Sequence, residues 1–229
     1  MQPINYRIKS WFQGAFVTNI LVIVNVIVFL LMSVTGGTTN INNLIRYGAM
    51  VPESIKNGSD YFSIFASMFI HIGIEHLVLN MVTLYFLGRI LEAIMGHWKF
   101  LATYLLAGVF GNLVSLYFAN PQTISAGASG AIFGIIGVWL MLAITFRSVP
   151  YLAQMGQQML IFTILGLIGG FLGPDVDIAA HLGGVLAGFL LGFIIGFPKI
   201  GKISMWKRVG SLVILVGFTV VLTDLAFTF

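Results

Sequence analysis

Ser129 and His181 are the residues of this chain best suited to nucleophilic chemistry. A serine hydroxyl attacks effectively when a base takes its proton, and neutral imidazole suits that task near pH 7. Ser129 stands in "ISAGASGAIFG" (124–134) and His181 in "AHLGGVLAGFLLGFIIG" (180–196). His76 and Asn80, in "HIGIEHLVLN" (71–80), are four positions apart, so a helix presents both on one face. Donors placed there would suit the oxyanion that forms when a carbonyl is attacked. Cysteine is absent, which excludes thiolate chemistry and disulfides. His71 and His76 are five apart with no carboxylate or cysteine to complete a site, so the sequence points to no metal and no cofactor.

The elements that must position these residues are membrane helices. Hydrophobic residues make up 59% of the 229-residue chain and charged residues 8%, against roughly 25% charged in soluble domains. A span needs about 20 mostly apolar residues. Seven stretches qualify: 15–34, 74–95, 100–119, 127–146, 157–173, 178–197 and 209–228. The first is long for the core of a signal peptide and reads as a retained helix. Residues 35–70, rich in Gly, Asn, Pro and charge, read as a long outer loop partly embedded at the interface.

The net charge of +4 reflects cytoplasmic anchoring rather than nucleic-acid binding. With the N-terminus inside, Arg7, Lys9, Arg89, Lys99, Arg147, Lys199, Lys202, Lys207 and Arg208 fall on the inner side, and only Arg46 and Lys56 on the outer. Trp11, Trp98 and Trp206 stand beside several of them as interfacial anchors.

Polar side chains inside spans are costly and usually functional. Those on or near the expected helices are His71, Glu75, His76, Asn80, Glu92, Asn112, Ser129, Trp139 and His181. The topology places His76 and Asn80, Ser129, and His181 in the outer turns of three different helices. Gly184, Gly188, Gly192 and Gly196 form a stripe on nearly the same face as His181, and Gly130, Gly134 and Gly137 offer a partner surface. Packing these two helices together would bring Ser129 to His181. The free N–H groups of the first turn at Ser129, with His76 and Asn80, could then form an oxyanion hole. Asp175 and Asp177 read as solvated outer-loop charges, which leaves a Ser–His dyad. His71, Glu75 and Glu92 read as structural, with Glu92 near the inner end of its helix.

These segments resemble the rhomboid intramembrane serine proteases. The resemblance runs in order through "HIGIEHLVLN", "LGRILEAIMG" (Gly88, Glu92, Gly96), "GASG" around Ser129 and "AHLGGVLAG", over about residues 15–197. It implies an all-α polytopic fold with a six-helix core, here followed by a seventh C-terminal span. The expected organisation is a cytoplasmic segment 1–14, a core 15–197 with outer loop 35–70, and a basic linker with the seventh helix over 198–229. It implies Ser129 as nucleophile, His181 as general base, and His76 and Asn80 as oxyanion stabilisers. Gly127, Phe133, Gly184 and Gly188 would pack the site. Substrates would be transmembrane proteins cut near the outer face, with membrane lipid the other partner and nucleic acid none; the setting would be a plasma membrane, expected to be bacterial. Two departures stand out. Phe62 and Ser63 occupy the offset of the family's Trp-Arg pair, and Phe133 keeps an aromatic ring where tyrosine is frequent. Other classes are a catalytically silent rhomboid-like protein that binds membrane clients and, more distantly, a transporter, whose site would lie at midplane on broken helices.

Overall fold

The computed structural model describes residues 14–172 and 176–228, so Arg7, Lys9 and Trp11 of the 1–14 segment, and Asp175, lie outside the described residues. The described residues are helical apart from loops and one isolated bridge between Met50 and Ser125. The first long helix, α1, spans Phe16–Thr35. Three short helices follow: α2 (Ile41–Tyr47), α3 (Pro52–Lys56) and α4 (Ser63–Ala66). Then come α5 (Gly73–Met95), α6 (His97–Phe118), α7 (Ser129–Thr145), α8 (Pro150–Leu172), α9 (Ile178–Ile195) and α10 (Met205–Thr228). Of these, α1, α5, α6, α8, α9 and α10 are long and apolar enough to cross a membrane.

Helix α7 stands apart at 17 residues, which at 1.5 Å per residue is about 25 Å, short of a hydrocarbon core of about 30 Å. It packs against α6, α8 and α9, and every residue from Gly130 to Trp139 is buried. A helix apolar on all sides belongs at the centre of a bundle, and α7 is that centre. Ser129 is its first residue.

Two helix starts differ from the hydropathy reading. Helix α8 begins at Pro150 rather than near 157, because Gln154, Gln157 and Gln158 are exposed polar residues that hydropathy discounts while the backbone stays helical. Proline at the start of a helix loses no hydrogen bond. Helix α10 begins at Met205 rather than 209, taking in Trp206, Lys207 and Arg208. Arg208 donates through Nε (3.0 Å) and Nη2 (2.8 Å) to Ile194 O, capping the C-terminal end of α9.

The end of the bundle opposite Ser129 is held by a buried carboxylate. Glu92, with no exposed surface, accepts from Val17 N–H at 3.0 Å and from Thr18 N–H at 2.7 Å. It also takes the Thr18 hydroxyl at 2.6 Å and pairs with His97 Nδ1 at 2.6 Å. The first N–H groups of a helix lack internal partners and favour negative charge. Glu92 of α5 therefore does for α1 what an N-cap residue would, because Ala15 has no side chain to do so. Within α5, Leu84–Gly88 form a π-helical turn, and Gly88 lets Thr18 and Phe100 approach.

The segment expected as a loop over 35–70 contains α2, α3 and α4 and is tied down at several points. Asn40 caps α2 through Asn42 N–H (3.0 Å) and Asn43 N–H (3.3 Å). Asn112 of α6 donates to Ile64 O at 2.7 Å and to Ser67 Oγ at 2.9 Å. Phe62 is exposed, whereas Ser63 is buried and donates to Asp60 O at 2.7 Å. Asn112, Ser63 and the Met50–Ser125 bridge thus brace this segment without a Trp-Arg pair.

Candidate active site

Helices α7 and α9 touch backbone to backbone. A Cβ on Gly184 would collide with Gly130 O, one on Gly188 with Gly134 O, and one on Gly137 with Val185 O. Small residues permit this approach where no hydrophobic driving force draws helices together. At the end of the seam, His181 Nε2 and Ser129 Oγ lie 2.9 Å apart, within hydrogen-bond range. Ser129 is half-buried and His181 buried.

Two features orient His181. Phe133, one turn along from Ser129, stacks on the imidazole at 4.1 Å between ring centroids and 12° between planes. Gly166 of α8 lies against the far edge of that Phe133 ring. Among the described residues, His181 Nδ1 has no hydrogen-bond partner. No carboxylate among the described residues therefore holds the ring in the manner of a catalytic triad; Phe133 stacks on it instead.

The residues before Ser129 form a tight turn. Gly127 has φ of +129°, and a Cβ there would stand 2.7 Å from His76 Cε1 and Nε2. Both the conformation and the contact demand glycine. Gly127 N–H donates to Ser67 O at 2.9 Å, and Ala128 N–H is directed at His71 Nε2 at 3.4 Å. His71 is fully buried. Burial, followed by the neighbouring His76, lowers its pKa to about 3, so it is a neutral acceptor near pH 7. The His71 and His76 rings meet edge to face with centroids 5.1 Å apart.

His76 thus lies beside the turn that carries Ser129. Asn80 Nδ2 donates one hydrogen to His76 O at 2.9 Å within α5, and an amide nitrogen carries a second. Glu92 is at the other end of α5, bonded to the start of α1. Glu75 is exposed and Trp139 buried.

Asp177 differs from the sequence expectation. It is no solvated loop charge but the N-cap of α9, accepting from Ala180 N–H at 2.9 Å. Its other oxygen accepts from Ser115 Oγ and Ser125 Oγ, each at 2.5 Å. An aspartate immediately before an apolar helical run is an N-cap signal legible in sequence; the two serines, 62 and 52 positions away, carry none. The reading also passed over Asn25 and Tyr104, buried in the middle of the bundle. Asn25 Nδ2 satisfies itself on Leu21 O at 2.7 Å. A cavity of about 610 Å³ lies between α6, α9 and α10, lined by Val114, Asp177, Leu182, Leu186 and Phe218. It does not include Ser129.

Comparison with known proteins gives this geometry a family. The chain is 34% identical over 203 residues to the Rhomboid protease GluP of Bacillus subtilis (strain 168), covering 89% of this chain and 39% of that one. It is 36% identical over 142 residues to the RHOMBOID-like protein 1 of Arabidopsis thaliana, 62% of this chain and 36% of the relative. It is 29% identical over 132 residues to the Putative rhomboid protease YdcA of Bacillus subtilis (strain 168), 57% and 65% respectively. The chain thus spans less than half the length of the first two relatives. The Rhomboid domain model matches residues 58–197, a stretch that runs from before His71 to the end of the α7–α9 seam. By that match and its apolar helices, this multi-pass membrane protein belongs to the rhomboid family.

Proposed function

We propose that the chain is an intramembrane serine endopeptidase that hydrolyses peptide bonds in transmembrane proteins. The observation that carries the reading is the 2.9 Å approach of Ser129 Oγ to His181 Nε2 at the start of α7. Ser129 Oγ attacks the scissile carbonyl carbon as its proton passes to His181 Nε2. The imidazolium then returns that proton to the departing amine, leaving an acyl-enzyme on Ser129. Water, deprotonated by the same imidazole, attacks the ester and frees the serine.

The oxyanion is held by N–H groups of the first turn of α7 with the His76 side chain. Asn80 joins them through the second N–H of its amide. Gly127, Gly184, Gly188 and Phe133 keep these groups in register. His71 supports the turn before Ser129, and Glu92 anchors α1 at the opposite end.

We read seven spans: a six-helix core over 15–197 and a seventh helix beyond the linker that starts at 198. The N-terminus is cytoplasmic and the Ser129 end faces outward in a bacterial plasma membrane. The basic residues Arg89, Lys99, Arg147, Lys199, Lys202, Lys207 and Arg208 favour that orientation, since they lie toward the end opposite Ser129. Because α7 is too short to span the membrane, Ser129 lies below the outer surface under the α2–α4 segment, where water can reach it. A helical peptide bond has its groups hydrogen-bonded internally, so substrates must unwind at the cut, and small or helix-breaking residues there favour cleavage.

The test is cleavage of a single-span substrate with a labile outer segment, in membranes holding the parent or the Ser129→Ala or His181→Ala variant at equal folded amount. Cleavage by the parent alone supports the protease. Equal cleavage by parent and Ser129→Ala would sink it.

A further inference from the structure

We propose that Asp177 is a positioning residue for the dyad, clamping the residues four places before the nucleophile to those four places before the base. The proposal rests on the reading of Ser129 and His181 as that pair. Ser125 precedes Ser129 by four residues and Asp177 precedes His181 by four. The Ser125 Oγ to Asp177 Oδ2 hydrogen bond, 2.5 Å, therefore runs beside the 2.9 Å approach of Ser129 to His181 as a second rung between the same two segments.

The rung is anchored on both sides. On the α9 side, Asp177 Oδ1 accepts from Ala180 N–H at 2.9 Å and Asp177 O accepts from His181 N–H at 3.2 Å, so the aspartate defines the turn that presents the imidazole. On the other side, Ser125 exchanges two backbone hydrogen bonds of 2.8 Å with Met50. Ser115, in the last turn of α6, gives Asp177 Oδ2 a further hydroxyl at 2.5 Å. One carboxylate thus joins α6, the connector to α7, and α9. Three donors thus converge on its two oxygens, within the acceptor capacity of one side chain.

The glycine seam does part of this. Gly130 against Gly184 and Gly134 against Gly188 fix how closely α7 and α9 approach, and the rung adds a polar tie at the end of the seam that carries the dyad. A small rotation of the first turn of α9 would carry His181 off Ser129. The polar rung sets that register, and among the described residues no carboxylate on His181 Nδ1 does so in its place.

Capping and clamping are separable. Ser125→Ala removes the rung and leaves the cap of α9 intact. Asp177→Asn keeps a good N-cap and removes the charge that gathers both hydroxyls. Both are expected to lower kcat about tenfold, a fraction of what a 1 Å misplacement costs. KM should stay within about twofold, since no group facing substrate changes. The 15N signals of the His181 imidazole, which report its bond to Ser129 whether or not anything is cleaved, should move toward those of an unbonded ring. Parent-like kcat and unchanged imidazole signals in Ser125→Ala would overturn the clamp, and that variant decides even if Asp177→Asn fails to fold. A parent that cleaves nothing would instead sink the protease reading, while the imidazole signals still judge the clamp.

Discussion

The same residue type does opposite things in two parts of this molecule. In the seam between α7 and α9, Gly130, Gly134, Gly137, Gly184 and Gly188 are places where one backbone rests on another. In α10, Gly210 and Gly217 have nothing within 4 Å of where a Cβ would stand. The seam is almost wholly buried, while α10 exposes Val213, Val216, Val220 and Val221 to its surroundings. The contrast teaches that precision here is local. Atoms that must meet at hydrogen-bond distance are held by backbone contact, and the peripheral helix needs only an apolar surface and the Arg208 tie to the end of α9.

The largest effect that would sharpen this comparison is Gly188→Ala. Its methyl would overlap the Gly134 carbonyl, a backbone atom that cannot yield, so α9 must move away from α7. A shift of about 1 Å at the dyad costs on the order of 100-fold in turnover, and overpacking costs about 1–3 kcal/mol. Turnover per folded molecule, with a thermal melt, measures both. A Gly188→Ala enzyme of parental rate would show that the seam does not set the dyad.

Next comes Glu92→Ala at the other end of the bundle. Two N–H groups of α1 and the Thr18 hydroxyl lose their buried acceptor, which costs about 1–3 kcal/mol or more. The melting temperature should fall while the rate per folded molecule stays near parental, because Ser129 lies at the opposite end. Rate loss without loss of stability would contradict this division.

His71 gives a smaller, pH-dependent effect. Its folded pKa of about 3 lies below the ordinary 6.5, so the unfolded chain binds a proton that the folded one refuses. The stability it contributes is present above pH 6.5 and is lost as pH falls toward 3, by at most about 1.4 kcal/mol per unit. Melts of parent and His71→Gln between pH 7 and 5 should show a shallower decline in the variant, and parallel declines would reject the account. The smallest effect is Gly217→Ala, which meets open space and should change stability by less than about 1 kcal/mol in the favourable direction. A marked loss there would mean that α10 is as tightly packed as the seam.

Much of the site was legible because few residues in an apolar helix can be polar without purpose. Ser129, His181 and His76 stood out on that ground, and the four-residue glycine spacing named the two helices that touch. What escaped was set by partners distant in sequence. Asp177 looked solvated because Ser115 and Ser125 are unremarkable serines until folding brings them to it. Residues 35–70 were read as loop because their helices are too short to show a period. The early start of α8 was missed because its glutamines are polar yet helical. Glu92 was read as structural from its depth, but the amides it serves belong to a helix some 74 positions earlier.

The central claim is that backbone contact between α7 and α9 makes Ser129 a nucleophile by bringing His181 to it. The most direct measurement is the site and rate of labelling by a serine-reactive phosphonate, followed by mass spectrometry on the folded parent and on His181→Ala. The account predicts a single labelled residue, Ser129, in the parent and labelling slowed by at least about 100-fold without the imidazole. Labelling of Ser129 at equal rates in both proteins, or none in the parent, would contradict it.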